Sequence, residues 1–198
     1  MIIVGLTGSI GMGKSTTSGF FRKAGIPVHD ADAVVHKLYA GAAAPLIEKA
    51  FPGTTKDGVV DRTRLGAAVM ADPAAFKTLE GIVHPLVAAA RDQFLSDARA
   101  KGAAMVVLDI PLLLEGRGSE AVDVIVVASA AADVQRARVL ARPGMTEEKF
   151  SSLLARQMPD AEKRKRAHLV IDTGLGFAAA ERQVQSMIRA FSGSRGRH

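Results

Sequence analysis

The 198-residue sequence contains no cysteine. This absence excludes disulfides, zinc sites built on thiolates and a cysteine nucleophile, and it leaves magnesium as the metal that the available oxygen ligands hold most readily. Long apolar runs are also missing, because no stretch reaches the roughly eighteen apolar residues that a membrane helix needs. From Ile2 the chain enters an apolar run that has no basic leader or cleavage site of a signal peptide. We therefore expect a cytoplasmic protein that does not bind a membrane.

Aromatic residues are scarce, at 5% of the chain, with one tyrosine and no tryptophan. Proteins that bind single-stranded nucleic acid stack bases on aromatic side chains, so this composition argues against a nucleic-acid partner. The formal net charge of +6 suits an anionic partner, and a polyphosphate ligand meets that requirement as well as nucleic acid does. Hydrophobic residues at 48% and charged residues at 23% are ordinary for a globular protein of one domain.

Five short apolar runs without helical periodicity predict the buried strands of a parallel sheet. They lie at residues 2–7, 26–29, 105–108, 122–128 and 169–171. Stretches with helical spacing separate the runs, with Ser129 and Thr146 as candidate N-caps and Pro73 in a first helical turn. We predict an α/β fold, an open parallel five-stranded sheet flanked by helices.

The first predicted strand leads into a glycine-rich segment, Gly8-Ser9-Ile10-Gly11-Met12-Gly13-Lys14-Ser15, which matches G-x4-G-K-[ST]. Glycines let backbone N–H groups wrap around phosphates, and the helix that follows adds the partial positive charge of its N-terminus. A chance glycine-rich turn would rarely fall between a strand and a helix. We expect Lys14 to reach the β and γ phosphates of ATP, Ser15 to hold Mg²⁺ and Thr16 to support the loop. The predicted ATP-binding residues here are Gly8, Gly11, Met12, Gly13, Lys14, Ser15 and Thr16.

Acidic residues follow two of the predicted strands. Asp30 and Asp32 follow the second strand and Asp109 ends the third, and ligands of open parallel sheets lie outside the carboxyl ends of the strands. Asp32 is suited to orient an acceptor hydroxyl and take its proton, with a solvated loop or an N-cap as the alternatives. For Asp30 the functional and the structural roles are equally open. Asp109 is predicted to support Mg²⁺ through water, with a capping role as the alternative, and Glu115 is a weaker candidate.

Two stretches are too long for simple connections between strands. Residues 33 to about 103 predict several helices broken at GAAAP, FPGTTKDG and ADP, inserted into a core of residues 1–32, 104–138 and 167–191. The segment 139–166 is rich in basic residues and predicts a small lid, in which Arg142 closes over the nucleotide. The lysines and arginines at 163–166 are interpreted as mainly a solvated face. Residues 192–198 are predicted to be a frayed tail.

Five motifs in order resemble those of the dephospho-CoA kinase family, and the resemblance covers nearly the whole chain. They are GLTGSIGMGKST at 5–16, Asp30-Ala31-Asp32, DGVVDRTRL at 57–65, LEGIVHP at 79–85 and IPLLLE at 110–115. The resemblance implies a P-loop NTPase-type kinase whose helical insert binds the substrate. The implied reaction is phosphorylation of the ribose 3′-hydroxyl of dephospho-CoA by ATP with Mg²⁺, the last step of CoA biosynthesis.

The matching positions imply residue roles. Asp32, Lys14 and Arg142 resemble catalytic residues, and the implied substrate-binding residues are Asp32, Arg62, His84 and Pro85. Thr173 and Gly174 follow the fifth strand and are expected to bind ATP, although this chain lacks the asparagine that the family often has there. Without the resemblance, His84-Pro85 would be interpreted as the end of a helix. The expected partners are ATP and dephospho-CoA, without nucleic acid, and the expected state is a monomer.

Two other functions share the glycine-rich segment. A kinase for a nucleoside monophosphate or a small metabolite would have the same core and lid, and the boxes at 57–65 and 79–85 argue against it. A nucleotide switch or a nucleic-acid-stimulated ATPase is the second alternative. The guanine-reading N-K-x-D element of a GTPase does not occur in the sequence, and a nucleic-acid motor is normally larger.

Overall fold

The computed structural model describes residues 1–70 and 72–193. It divides the chain into two compact units, one made of Met1–His29 with the chain from Ala98 onward and the other of Asp30–Asp97. In chain order the elements are β1 (Ile2–Thr7), α1 (Lys14–Lys23), β2 (Val28–Asp30), α2 (Ala31–Tyr39), α3 (Ala44–Ala50), β3 (Thr55–Lys56), β4 (Val59–Val60), α4 (Arg62–Met70), α5 (Pro73–Ala100), β5 (Met105–Asp109), a 3₁₀ helix (Arg117–Ala121), β6 (Val124–Ser129), α6 (Ala132–Leu140), α7 (Glu147–Leu154), α8 (Asp160–Arg166), β7 (Leu169–Asp172) and α9 (Phe177–Gly193).

The first unit is built on a five-stranded parallel sheet in the order β2-β5-β1-β6-β7. β1 lies at its centre and pairs in parallel with β5 and β6, and β6 pairs in parallel with β7. The central strands β5, β1 and β6 are mostly buried on both faces, and this is why they are continuous apolar runs in the sequence, whereas the edge strands β2 and β7 are partly exposed. The predicted fold class and all five predicted strands are confirmed, with ends shifted by no more than two residues.

Helices α1 and α9 pack against this sheet. Phe21 of α1 and Val184 of α9 are fully buried in the same apolar cluster as Val4, Val107 and Val126. Burial of these side chains is the main favourable term that holds the first unit together. The predicted tail begins inside α9, which continues to Gly193, and residues 194–198 lie outside the described part of the chain.

The second unit contains α2 to α4, most of α5 and the antiparallel hairpin β3-β4. The helices separate close to the predicted breaks, and Pro73 begins α5 as expected. Pro85 lies inside α5, so the interpretation of His84-Pro85 as a helix end is wrong. Buried Val83 and the partly buried Leu86 and Val87 pack into one apolar cluster on either side of the proline. This packing offsets the backbone hydrogen bond that proline removes.

The predicted lid contains α7 and α8. Thr146 caps α7, because its hydroxyl accepts a hydrogen bond from the N–H of Lys149 at 3.3 Å, as predicted. The predicted cap at Ser129 is wrong, since Ser129 ends β6 and its hydroxyl donates to Asp160 Oδ2 at 2.7 Å. Among the described residues, no helix has the length and apolar character to cross a membrane.

Candidate active site

The glycine-rich segment of residues 8–15 turns tightly after β1 and runs into the first turn of α1, and we call it the glycine loop. Gly11 and Gly13 have φ angles of 78° and 82°, where a side chain is strained. A Cβ at Gly8 would lie 2.7 Å from the carbonyl oxygen of Ala128. Gly13 is the residue before α1, whose first turn carries no acidic side chain. The loop therefore presents backbone N–H groups and a helix N-terminus to an anion.

Lys14, near the end of the glycine loop, forms an ion pair with Asp109. Lys14 Nζ lies 2.6 Å from Asp109 Oδ1, and the two side chains are 16% and 3% exposed. Strand register places Asp109 beside Leu6, at the carboxyl end of β5. The structure thus brings together a predicted phosphate-binding cation and the predicted magnesium-supporting carboxylate.

The available ligands fit a magnesium ion that is held mainly by phosphates. Ser15 is exposed on α1, next to Lys14 in the chain, and Asp109 supplies a carboxylate. No group of three or more histidines, cysteines or acids in the described part of the chain could hold a metal ion. Mg²⁺ commonly takes one or two protein oxygens and completes its shell with substrate phosphates and water.

Two glutamines hold the glycine loop at Ile10, and neither belongs to the predicted site. Gln135 Nε2 donates to the Ile10 carbonyl at 2.7 Å, and the Ile10 N–H donates to Gln157 Oε1 at 3.0 Å. Nothing in the sequence around Gln135 indicates its contact with the loop. The buried Gln135 brings α6 to the loop, and Gln157 brings the segment between α7 and α8 to it.

Thr173 supports the other side of the loop. Its hydroxyl lies 2.9 Å from the Met12 carbonyl, and Arg138 donates to the Thr173 hydroxyl at 2.9 Å and to its carbonyl at 2.7 Å. Met12 is also buried, and its Sδ accepts the Ala130 N–H at 3.1 Å. The side chains of Thr173 and Met12 are thus engaged within the protein, while Gly174 is exposed.

Arg142 follows α6 in an exposed turn before α7. Its backbone N–H donates to the Val139 carbonyl at 3.1 Å, which fixes the start of the turn. The turn ends at Gly144, whose φ of 71° favours glycine. Arg142 is therefore an exposed cation on a short connection within the predicted lid.

Asp30 and Asp32 differ in their local roles. Asp30 caps α2, since its Oδ1 accepts the Ala33 N–H at 3.0 Å. The N-cap alternative for Asp32 is therefore wrong, and Asp32 lies exposed in the first turn of α2. A carboxylate there is stabilised by the positive end of the helix dipole.

The other predicted substrate residues, Arg62, His84 and Pro85, lie on α4 and α5. Arg62 Nη1 is 3.1 Å from His36 Nε2. Burial raises the pKa of the Tyr39 phenol, and the charge of Arg62 opposes that rise. His84 is exposed and its Nε2 lies 3.9 Å from Glu80 Oε1. Pro85 lines a groove of about 570 Å³ that is formed by residues of α3 and α5.

Several known proteins are similar to this chain. Residues 2–177 match the family model described as dephospho-CoA kinase. The chain is 59% identical to the dephospho-CoA kinase of Mesorhizobium japonicum, across 99% of this chain and all of that protein. A solved structure from Thermus thermophilus superposes with a TM-score of 0.83 at 33% identity, and the dephospho-CoA kinase of Campylobacter jejuni with 0.67 at 23% identity, each over 96% of both chains. The second of these supports the fold alone.

Proposed function

The chain belongs to the dephospho-CoA kinase family, and on that premise we propose that it transfers the γ-phosphoryl group of ATP to the ribose 3′-hydroxyl of dephospho-CoA. The observation that carries the proposal is the ion pair that Lys14 of the glycine loop forms with Asp109. This arrangement supplies what phosphoryl transfer requires, a positioned cation, backbone donors and a carboxylate for the metal.

In the proposed reaction the 3′-oxygen attacks the γ-phosphorus, and the bond from that phosphorus to the β-γ bridging oxygen breaks. The hydroxyl proton passes to the Asp32 carboxylate, and ADP leaves. Lys14 and the loop N–H groups bind the β and γ phosphates, and Arg142 compensates the charge that spreads over the transferred group. Asp32 acts more by orienting the hydroxyl than by its basicity, since an aspartate is a weak base at neutral pH.

Mg²⁺ is the proposed metal, and Ser15 and Asp109 would hold it, Asp109 through water. When bound, the ion neutralises phosphate charge and polarises the phosphoryl oxygens. Asp109 also orients Lys14 through their 2.6 Å contact. Gly174, exposed after β7, is proposed to approach ATP through its backbone, and Thr173 to act by holding the loop.

An assay of acceptors tests the function. Purified protein with Mg-ATP would be given dephospho-CoA, AMP, CMP, shikimate, gluconate or single-stranded nucleic acid, and ADP release would be followed. We expect turnover with dephospho-CoA alone and a product heavier by one phosphoryl group. Turnover with another acceptor would favour a different small-metabolite kinase, and hydrolysis stimulated by nucleic acid would favour an ATPase.

Replacing Arg62 by alanine should raise KM for dephospho-CoA by about tenfold or more. This factor corresponds to the free energy that a hydrogen bond to a charged group contributes to binding. The turnover number should change little, because the interaction is made equally in the ground and transition states. Arg64→Ala is the matched control, since Arg64 is exposed on the same helix and pairs with Asp61 at 3.4 Å. An Arg62→Ala variant with an unchanged KM would remove Arg62 from the substrate site.

Replacing Arg142 by alanine should lower kcat by about tenfold or more, since it removes a positive charge from the developing phosphoryl group. Arg164→Ala, at an exposed position of α8, provides a control of equal charge change. Steady-state kinetics with both substrates varied would measure the effect. Equal activities of the two variants would show that Arg142 has no special role.

The monomeric state and the cytoplasmic location stay predictions. Light scattering coupled to size-exclusion chromatography would test the first, with an expected mass close to the 20.8 kDa of one chain.

A further inference from the structure

Lys163 is completely buried, although it begins the basic run 163–166 on α8. The interpretation of that run as a solvated face is therefore wrong for its first member. Lys163 Nζ lies 2.8 Å from Glu115 Oε1, and the Glu115 side chain is 17% exposed. Even when two buried charges are paired, the cost of removing them from water can exceed their attraction. Stability alone therefore does not explain why this ion pair is present.

Glu115 holds a second group in addition to the lysine. Its Oε1 accepts the backbone N–H of Met158 at 2.9 Å. Two residues further on, Asp160 Oδ2 accepts the hydroxyl hydrogen of Ser129 at 2.7 Å. The segment 157–163, at the C-terminal end of the predicted lid, is thus fixed to residues that follow β5 and end β6.

The residue before Met158 is Gln157, whose Oε1 accepts the N–H of Ile10 in the glycine loop at 3.0 Å. A continuous path of contacts therefore leads from Lys163 through Glu115, Met158 and Gln157 to the loop that binds phosphate. A displacement of about 1 Å at a positioning group costs as much as about 100-fold in rate. Loss of the Met158 contact would let Gln157 move and release the Ile10 N–H.

We propose that Glu115 is a positioning residue, whose side-chain oxygen accepts the Met158 N–H, fixes Gln157 and so sets the Ile10 backbone of the glycine loop for phosphoryl transfer. This inference rests on the proposed function for its kinetic consequence, while its structural consequence at Ile10 is independent of the substrate. Glu115 has no contact with the metal in this role, and it acts only through Met158 and Gln157.

Two double variants separate positioning from charge burial. Glu115→Leu with Lys163→Met removes both charges and also the acceptor for the Met158 N–H. Glu115→Gln with Lys163→Met removes the same charges but keeps a carbonyl acceptor at position 115. Because neither variant leaves a single buried charge, both avoid the large cost of breaking a buried pair.

We expect the leucine variant to lose about 10- to 100-fold in kcat, with KM for dephospho-CoA close to that of the unchanged protein. The glutamine variant should retain most of the turnover. Amide hydrogen exchange at Ile10, measured without substrates by NMR, should accelerate in the leucine variant and stay slow in the glutamine variant. Equal kcat and equal Ile10 exchange in the two folded variants would overturn the proposal.

A single variant, Gln157→Met, keeps the test decisive if the leucine variant does not fold. It leaves the pair of Glu115 and Lys163 intact, and we expect the same fall in kcat and the same faster exchange at Ile10. Unchanged kcat and exchange in Gln157→Met would also overturn the proposal. A failure of the proposed function is distinguishable, since the unchanged protein would then show no turnover of dephospho-CoA while the Ile10 exchange differences persisted.

Discussion

Asp32→Asn should lower kcat by about 10²- to 10⁴-fold, the range for loss of a positioned general base, while ATP affinity stays close to normal. Asparagine retains the size of the side chain but cannot accept the hydroxyl proton. Asp32 is exposed and does not cap α2, so the substitution should leave the helix intact. Steady-state turnover and an independent titration with ATP measure the two quantities.

Asp30→Asn is the matched control, because it makes the same chemical change two residues earlier. Asp30 caps α2 through Oδ1, and asparagine is an equally good N-cap. We expect this variant to keep most of its activity. Wild-type turnover in Asp32→Asn would rule out Asp32 as the base and would leave the glycine loop assignments standing.

Lys14→Met should lower phosphoryl transfer by about 10²- to 10³-fold, as expected when one donor to the transition state is removed. It should also destabilise the fold, since Asp109 is 3% exposed and loses its cation partner. Breaking a buried ion pair typically costs about 3–5 kcal/mol. Urea unfolding would give the free energy of unfolding, and the coupled assay would give the rate.

A second substitution separates the two effects of Lys14. Lys14→Met with Asp109→Leu should recover much of the stability and none of the activity, because no carboxylate is left buried alone. Lys23→Met serves as the surface control, since Lys23 pairs with Glu181 but is 72% exposed and should change neither quantity. Full activity in Lys14→Met would contradict the proposed phosphate contact.

Local signals in the sequence predict the sheet and the glycine loop well. Each buried strand is a continuous apolar run, and all the loop glycines lie within six residues of one another, so no distant contact is needed to recognise them. The hairpin of β3 and β4 was not predicted, although the sequence carries a local signal for it. Asp57-Gly58, with φ angles of 52° and 77°, stands between the two strands as a typical two-residue hairpin turn.

Contacts between distant residues account for what local patterns could not predict. The continuation of α5 through Pro85 depends on apolar partners elsewhere in the second unit. Lys163 has the same charge as its three basic neighbours, and only a partner 48 positions earlier, Glu115, explains its burial. Ser129 similarly looks like a helix cap until its bond to Asp160 is known.

The central place of β1 in the sheet has a consequence for synthesis of the protein. Ile2 pairs with Met105, and Val4 with Val124, so both neighbours of β1 are made about a hundred residues after it. At about 5–20 residues per second, β1 leaves the ribosome and waits on the order of 5–20 s for its first neighbour. The contiguous unit Asp30–Asp97 can collapse during that interval. The nascent chain is therefore most open to chaperones, and to aggregation, at the end that carries the glycine loop.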